Sequence, residues 1–88
     1  MAKKLYGGGS LLNLPGHEST AAIAAAFNPD MDYNSVYISD CSRQITLDIT
    51  CSSKDTYENS IYKLDTLIAT LTEYRKGVRV RGRRNDWA

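Results

Sequence analysis

Several residue patterns that would identify a function class are missing from this 88-residue sequence. No apolar run approaches the about 18 residues of a membrane-spanning helix, so no membrane association is expected. One histidine, His17, and two cysteines are too few and too scattered for the paired ligands of a zinc site. The glycine run Gly7–Gly9 is followed by neither a lysine–serine pair nor a helix signal, which excludes a phosphate loop. The sequence therefore predicts no catalytic residue, no metal and no cofactor.

A strand, a tight turn and a second strand are predicted between residues 35 and 51. Apolar and polar side chains alternate over residues 44–51, so one face of that strand is expected to be buried and the other wet. The apolar residues of both strands share a face only in certain registers. A four-residue loop pairing Asp40 with Ile45 satisfies this condition, and so does a two-residue loop pairing Asp40 with Arg43.

A long amphipathic helix is predicted from Ser53 to Lys76. Ser52 is a suitable N-cap, with Asp55 three residues later. Gly77 is a suitable residue for ending the helix. Apolar side chains recur along the segment at alternating spacings of four and three residues, which is typical of one helix face. They are Tyr57, Ile61, Leu64, Ile68 and Leu71.

The segment from Glu18 to Phe27 fits either a strand or a helix. Its alanines favour a helix by intrinsic propensity, and Asn28–Pro29 would end one. A two-stranded hairpin is marginal alone, however, and a third strand would make a sheet that a helix can cover. We therefore expect an α+β fold: a small antiparallel meander of two or three strands covered by one long C-terminal amphipathic helix (β-β-β-α), with α-β-β-α as the alternative. Residues 1–88 are predicted to form a single domain, with an irregular segment 1–16 and a basic arm 78–88.

The two cysteines are predicted to be unbonded. Cys41 lies at the hairpin turn and Cys51 at its open end, roughly 20 Å apart along the strand. A disulfide requires Cα atoms within about 7 Å. Two reduced thiols suit a cytoplasmic protein, and the N-terminal residues show no continuous apolar stretch of a secretory signal.

The charge of the chain is distributed unevenly. Residues 75–84 hold six cations and no anion, whereas residues 5–74 hold three cations and nine anions. An arginine-rich arm can contact phosphate backbones, and a tryptophan beside it can stack on a base. It can also fold back on the acidic residues 5–74 of its own chain, or dock on an acidic partner or a neighbouring subunit. The candidate contacts to an anionic partner are Arg75, Lys76, Arg79, Arg81, Arg83, Arg84 and Trp87.

A protein interface is predicted from the tyrosines and from the apolar face of the helix. The helix is longer than the predicted strands, and its apolar face widens toward the C-terminus, so the N-terminal segment, the C-terminal tail or a second copy of the chain must cover the excess. A dimer would add buried surface to the modest core of an 88-residue chain. Tyrosines outside a core are common in interfaces. The candidate interface residues are Tyr37, Tyr62, Leu67, Leu71 and Tyr74.

These features favour a non-enzymatic protein–protein interaction module that forms a homodimer or a higher oligomer. The alternative is a nucleic-acid-binding protein that uses the arginine-rich arm. Small size and a lack of motifs resemble accessory or inhibitor proteins of phages and mobile elements, although no motif carries that resemblance.

Overall fold

A computed structural model describes residues 4–16 and 20–87 of the chain, so His17 and Glu18 lie outside the described residues. An antiparallel sheet in the order β1-β2-β3-β4 precedes one helix, α1. This α+β arrangement confirms the predicted fold class, with four strands in place of two or three. The chain divides into two compact units, residues 1–57 and 58–88. The elements are β1 (Gly9–Leu11), β2 (Ala22–Ala24), β3 (Tyr33–Asp40), β4 (Arg43–Thr50) and α1 (Lys54–Arg84).

The hairpin of β3 and β4 has the two-residue loop, the shorter of the two loops that keep the apolar residues of both strands on one face. Asp40 pairs with Arg43, which leaves Cys41 and Ser42 as the two loop residues. Cys41 has a positive φ of 55°, a geometry that two-residue hairpin turns require. The register places Ile38 opposite Ile45, so the apolar residues of both strands share one face. The two cysteines are unbonded, as predicted.

Burial of that apolar face varies along β4. Ile49 is only 3% exposed, Leu47 is half-buried and Ile45 is 53% exposed. In residues 4–16 and 20–87, Ile49 is the one apolar side chain that is fully buried. Asn34 lies opposite Ile49, and its side-chain amide accepts a hydrogen bond from the backbone N–H of Asn28 and donates one to the Asn28 carbonyl, at 2.9 and 3.1 Å. These bonds close the loop that leads into β3.

The segment that fitted either a strand or a helix contains β2. Ile23 pairs with Ile38 of β3, which puts it on the apolar face of the sheet. Pairing with a neighbouring strand favours the strand over the helix here. It satisfies the backbone hydrogen-bonding groups of a short apolar run regardless of the helix propensity of its residues.

β1 lies inside the segment 1–16 that was expected to be irregular. Gly9 pairs with Ala24, and the pairing continues in the same register to Tyr6 and Phe27, which exchange two backbone hydrogen bonds of 2.9 and 2.7 Å. The glycines lower the strand propensity of this segment, but β2 offers backbone partners to Gly9, Ser10 and Leu11.

Gly7 interrupts this ladder with a conformation that only glycine adopts easily. Its φ is +88°, and a Cβ atom at this position would lie 2.1 Å from the carbonyl oxygen of Ala25. The neighbouring Gly8 has open space around the corresponding position. The close approach of the backbone of residues 6–8 to residues 25–27 is therefore possible only because residue 7 has no side chain.

The first turn of α1 is capped one residue later than predicted. The backbone N–H of Ser53 donates to Thr56 Oγ1 at 2.9 Å, and the N–H of Thr56 donates to Ser53 Oγ at 3.2 Å. This reciprocal pair is a capping box with Ser53, not Ser52, as the N-cap.

The prediction that the helix ends at Gly77 was wrong, because α1 continues to Arg84. A glycine inside a helix costs about 1 kcal/mol, which neighbouring residues can offset. Arg81, Arg83 and Arg84 lie in the last turn, where cations interact favourably with the helix dipole. Most of the segment expected to form an arm is therefore helical. Among the described residues, no helix is both long enough and apolar enough to cross a membrane.

Candidate interaction surface on the long helix

The 31 residues of α1 correspond to a rod of about 46 Å. Its one buried position is Ser60, at 2% exposure, and the half-buried positions around it are Thr56, Lys63, Leu64 and Leu67. These positions are spaced by three and four residues and therefore lie on one face. Leu67, a predicted interface residue, belongs to this sheltered face.

Exposed apolar side chains continue this sheltered face toward the C-terminus of the helix, and Ile61 and Ile68 lie along its edge. Leu71 is 55% exposed and Tyr74 is 73% exposed, although both belong to the most apolar part of the sequence pattern. Side chains of this kind are usually removed from water when they cluster on one side of a helix. We call this set the apolar row; it comprises Ile61, Ile68, Leu71, Tyr74 and Val78.

The sequence-predicted interface residues do not form one group. Leu71 and Tyr74 belong to the apolar row, whereas Tyr62 is 72% exposed on another side of the helix. Tyr37 is part of the sheet, where it pairs with Thr46 and its hydroxyl donates to Gln44 Oε1. Ile61 and Ile68, the further members of the row, belong to the apolar helix face that the sequence predicts. Their spacing was the signal for the row, but spacing alone does not show which apolar positions remain exposed.

A second row on α1 is basic. Arg75, Arg79 and Arg83 are spaced by four residues, so they follow one another along the helix surface, and all are exposed. Lys76 lies beside them and forms an ion pair with Glu73, with Nζ 3.0 Å from Oε1. Both side chains are well exposed, so this pair contributes at most about 1 kcal/mol. We call Arg75, Lys76, Arg79 and Arg83 the basic row.

The C-terminal end of α1 has a defined geometry. The backbone N–H of Trp87 donates to the Gly82 carbonyl at 2.8 Å, and that of Asp86 donates to the Arg83 carbonyl at 3.3 Å. With Asp86 at a φ of 58°, this is a Schellman motif. The guanidinium of Arg81 lies over the Trp87 ring, 5.7 Å from its centroid. Trp87, predicted to contact an anionic partner, is therefore held beside the last helical turn.

Replacing Asp86 by glycine is expected to stabilise the protein by about 1 kcal/mol. The change relieves the left-handed conformation of a residue with a Cβ atom and removes an anion from the negative end of the helix dipole. The larger entropy of glycine in the unfolded chain offsets part of this gain. Denaturant unfolding measures the effect. Asp86→Asn, which removes only the charge, should be intermediate, and a glycine variant no more stable than the parent would contradict the assigned motif.

Metal-ligating side chains do not converge in the part of the chain that the structure describes. No group of three or more histidine, cysteine, aspartate or glutamate side chains is placed to hold a metal ion there. Comparison of the chain with protein-family models, with curated proteins and with solved structures found no match. The surface of α1 carries an apolar row and a basic row, both exposed.

Proposed function

We propose that this protein is a non-enzymatic interaction module that associates with protein surfaces, including a second copy of itself, through the apolar row of α1. The observation that carries the proposal is the exposure of the apolar row. The described part of the chain has only one fully buried apolar side chain, Ile49, so little of its apolar surface is removed from water. A cytoplasmic location belongs to the same proposal and is supported by the two free thiols, since oxidising compartments favour disulfides. A role as an accessory or inhibitor protein of a phage or mobile element would suit such a module.

The energetic argument rests on the aliphatic members of the row. Burying a valine, leucine or isoleucine side chain completely is worth about 1.5–3 kcal/mol. Ile68 and Leu71 are both more than half exposed, so most of this free energy is still available to a partner. A small chain with little buried apolar surface is marginally stable alone, which makes association a source of folding stability as well.

Association is expected to raise both the mass and the melting temperature of the protein. Light scattering at micromolar concentration should give at least twice the chain mass of 9.8 kDa. The Tm should increase by several degrees over a hundredfold increase in concentration, because mass action stabilises a folded state that associates. A 9.8 kDa species with a concentration-independent Tm would contradict self-association.

Nucleic-acid binding is the second candidate, and the basic row is the observation that favours it. Arg75, Arg79 and Arg83 follow one side of a helix, an arrangement that can contact successive phosphates. The acidic character of residues 5–74, with three cations and nine anions, is unfavourable to a dedicated nucleic-acid module.

Capture from a cell lysate with and without nuclease separates the two functions. The proposed function predicts that capture of a protein survives nuclease and is lost in the variant Leu71→Glu, whereas Arg79→Glu has a smaller effect. Nuclease-sensitive capture that is lost with Arg79→Glu and retained with Leu71→Glu would favour the second candidate. In that case the logarithm of the binding constant should fall linearly with the logarithm of salt concentration.

A further inference from the structure

We propose that two copies of this chain associate by pairing their α1 helices in antiparallel orientation along the apolar row. This inference rests on the proposed function and adds to it the identity of the partner and the direction in which it binds. Its support is the pattern of seam residues and the distribution of charge along the helix.

Four members of the apolar row, Ile61, Ile68, Leu71 and Val78, belong to a seven-residue repeat along α1. Residues separated by alternating spacings of three and four form a continuous seam when two helices pack side by side. Most of these positions are exposed, and Leu64 is half-buried. The seam positions are Ile61, Ile68 and Arg75 at the first position of the repeat, and Leu64, Leu71 and Val78 at the fourth.

An antiparallel pair that overlaps over the whole helix gives each seam position a suitable neighbour. Ile61 lies beside Val78 of the second copy, and Ile68 lies beside Leu71 of the second copy. Leu64 meets Arg75, whose methylene stem can cover apolar surface while its guanidinium reaches water. The seam is then apolar at its centre and contains no contact between like charges.

A parallel pair is disfavoured by repulsion. It would place Arg75 against Arg75 of the second copy and bring together two segments, residues 75–84, that each hold six cations and no anion. The antiparallel arrangement separates these segments by a large part of the about 46 Å helix. That distance is several Debye lengths at physiological ionic strength, so their repulsion is screened.

Opposite charges also flank the antiparallel seam. Glu58 and Arg79 occupy the same flanking position of the repeat, near opposite ends of α1. Antiparallel pairing therefore brings Glu58 of one copy close to Arg79 of the other. The two-fold symmetry of such a dimer repeats this pair on the other side of the axis.

A charge swap tests the orientation in the full-length chain. Each single variant, Glu58→Arg or Arg79→Glu, places like charges together at two sites and should weaken dimerisation by about tenfold in low salt. The double variant Glu58→Arg with Arg79→Glu restores opposite charges and should dimerise within about threefold of the parent. Sedimentation equilibrium measures the dissociation constants. Additive weakening in the double variant would overturn the antiparallel arrangement.

Disulfide trapping is an independent test in a Cys41→Ser, Cys51→Ser background. Ile61→Cys combined with Val78→Cys should give a covalent dimer on mild oxidation, whereas Ile61→Cys alone should not. A covalent dimer from Ile61→Cys alone indicates parallel helices and overturns the inference while the proposed function stands. A monomeric parent that still captures a protein through Leu71 also overturns this inference alone. A monomeric parent whose capture is unaffected by Leu71→Glu overturns both.

Discussion

Replacing Leu71 by glutamate is expected to convert the associated protein into a monomer. Leu71 lies near the centre of the apolar row, where it packs against Ile68 of the second copy in the proposed arrangement. The variant removes the burial of two leucine side chains per dimer and places two carboxylates in an apolar contact, where an unpaired charge is strongly unfavourable. We expect association to weaken at least a hundredfold. Light scattering should then give the chain mass of 9.8 kDa.

Thr66→Glu is the matched control for this experiment. Thr66 is exposed and belongs to the same helix, but it lies outside the apolar row, so the same change in charge should leave the mass of the assembly unchanged. Circular dichroism of both variants checks that the helix is retained. If Leu71→Glu associates as strongly as the parent, the apolar row is not the interface, and the proposed function loses its principal support.

Replacing Gly7 by alanine is expected to destabilise the sheet by about 2–3 kcal/mol. The new Cβ atom would lie 2.1 Å from the carbonyl oxygen of Ala25, and residue 7 has a φ of +88° that a residue with a Cβ atom adopts only with strain. Relief of the contact requires residues 6–8 to separate from residues 25–27. Denaturant unfolding measures the loss of stability, and amide hydrogen exchange at Phe27, which bonds to the Tyr6 carbonyl, locates it.

Gly8→Ala provides a control within the same segment. Apart from its chain neighbours, no atom of the described residues lies within 4 Å of the position that its Cβ would occupy, so we expect a change within about 0.5 kcal/mol. Equal effects of the two substitutions would show that the close approach at Gly7 does not limit stability. Faster exchange at Phe27 in the Gly7 variant, together with unchanged exchange in β4, would assign the damage to the first hairpin.

The central hairpin and the existence of the helix were predictable because their signals are local. Strict alternation in β4 admits few registers, and the observed pairing of Asp40 with Arg43 is one of the two that keep the apolar residues on one face. The four-and-three spacing from Tyr57 to Leu71 is likewise a property of consecutive residues. The distance between Cys41 and Cys51, which is too long for a disulfide, was also predictable, because the two residues lie at opposite ends of the hairpin.

The end of the helix was mispredicted because a glycine permits a stop without requiring one. The conformational freedom of Gly77 suits a helix end, yet the chain ends α1 with Asp86 in the left-handed conformation. The free energy of continuing through Gly77 depends on the turns that follow, where arginines favour the helix dipole. A single glycine in the sequence does not show whether the turns that follow stabilise the helix enough to offset its cost.

The sequence by itself determined three features: the class of the fold, the hairpin register to within two alternatives, and the helical face that carries the apolar residues. Each of these features depends on residues that are only a few positions apart in the chain. Tertiary structure alone decided that residues 9–11 and 22–24 form strands, since their backbone partners are distant in sequence. It alone decided which apolar positions of α1 remain exposed. Periodicity defines a face of a helix, whereas exposure depends on what the rest of the chain leaves uncovered.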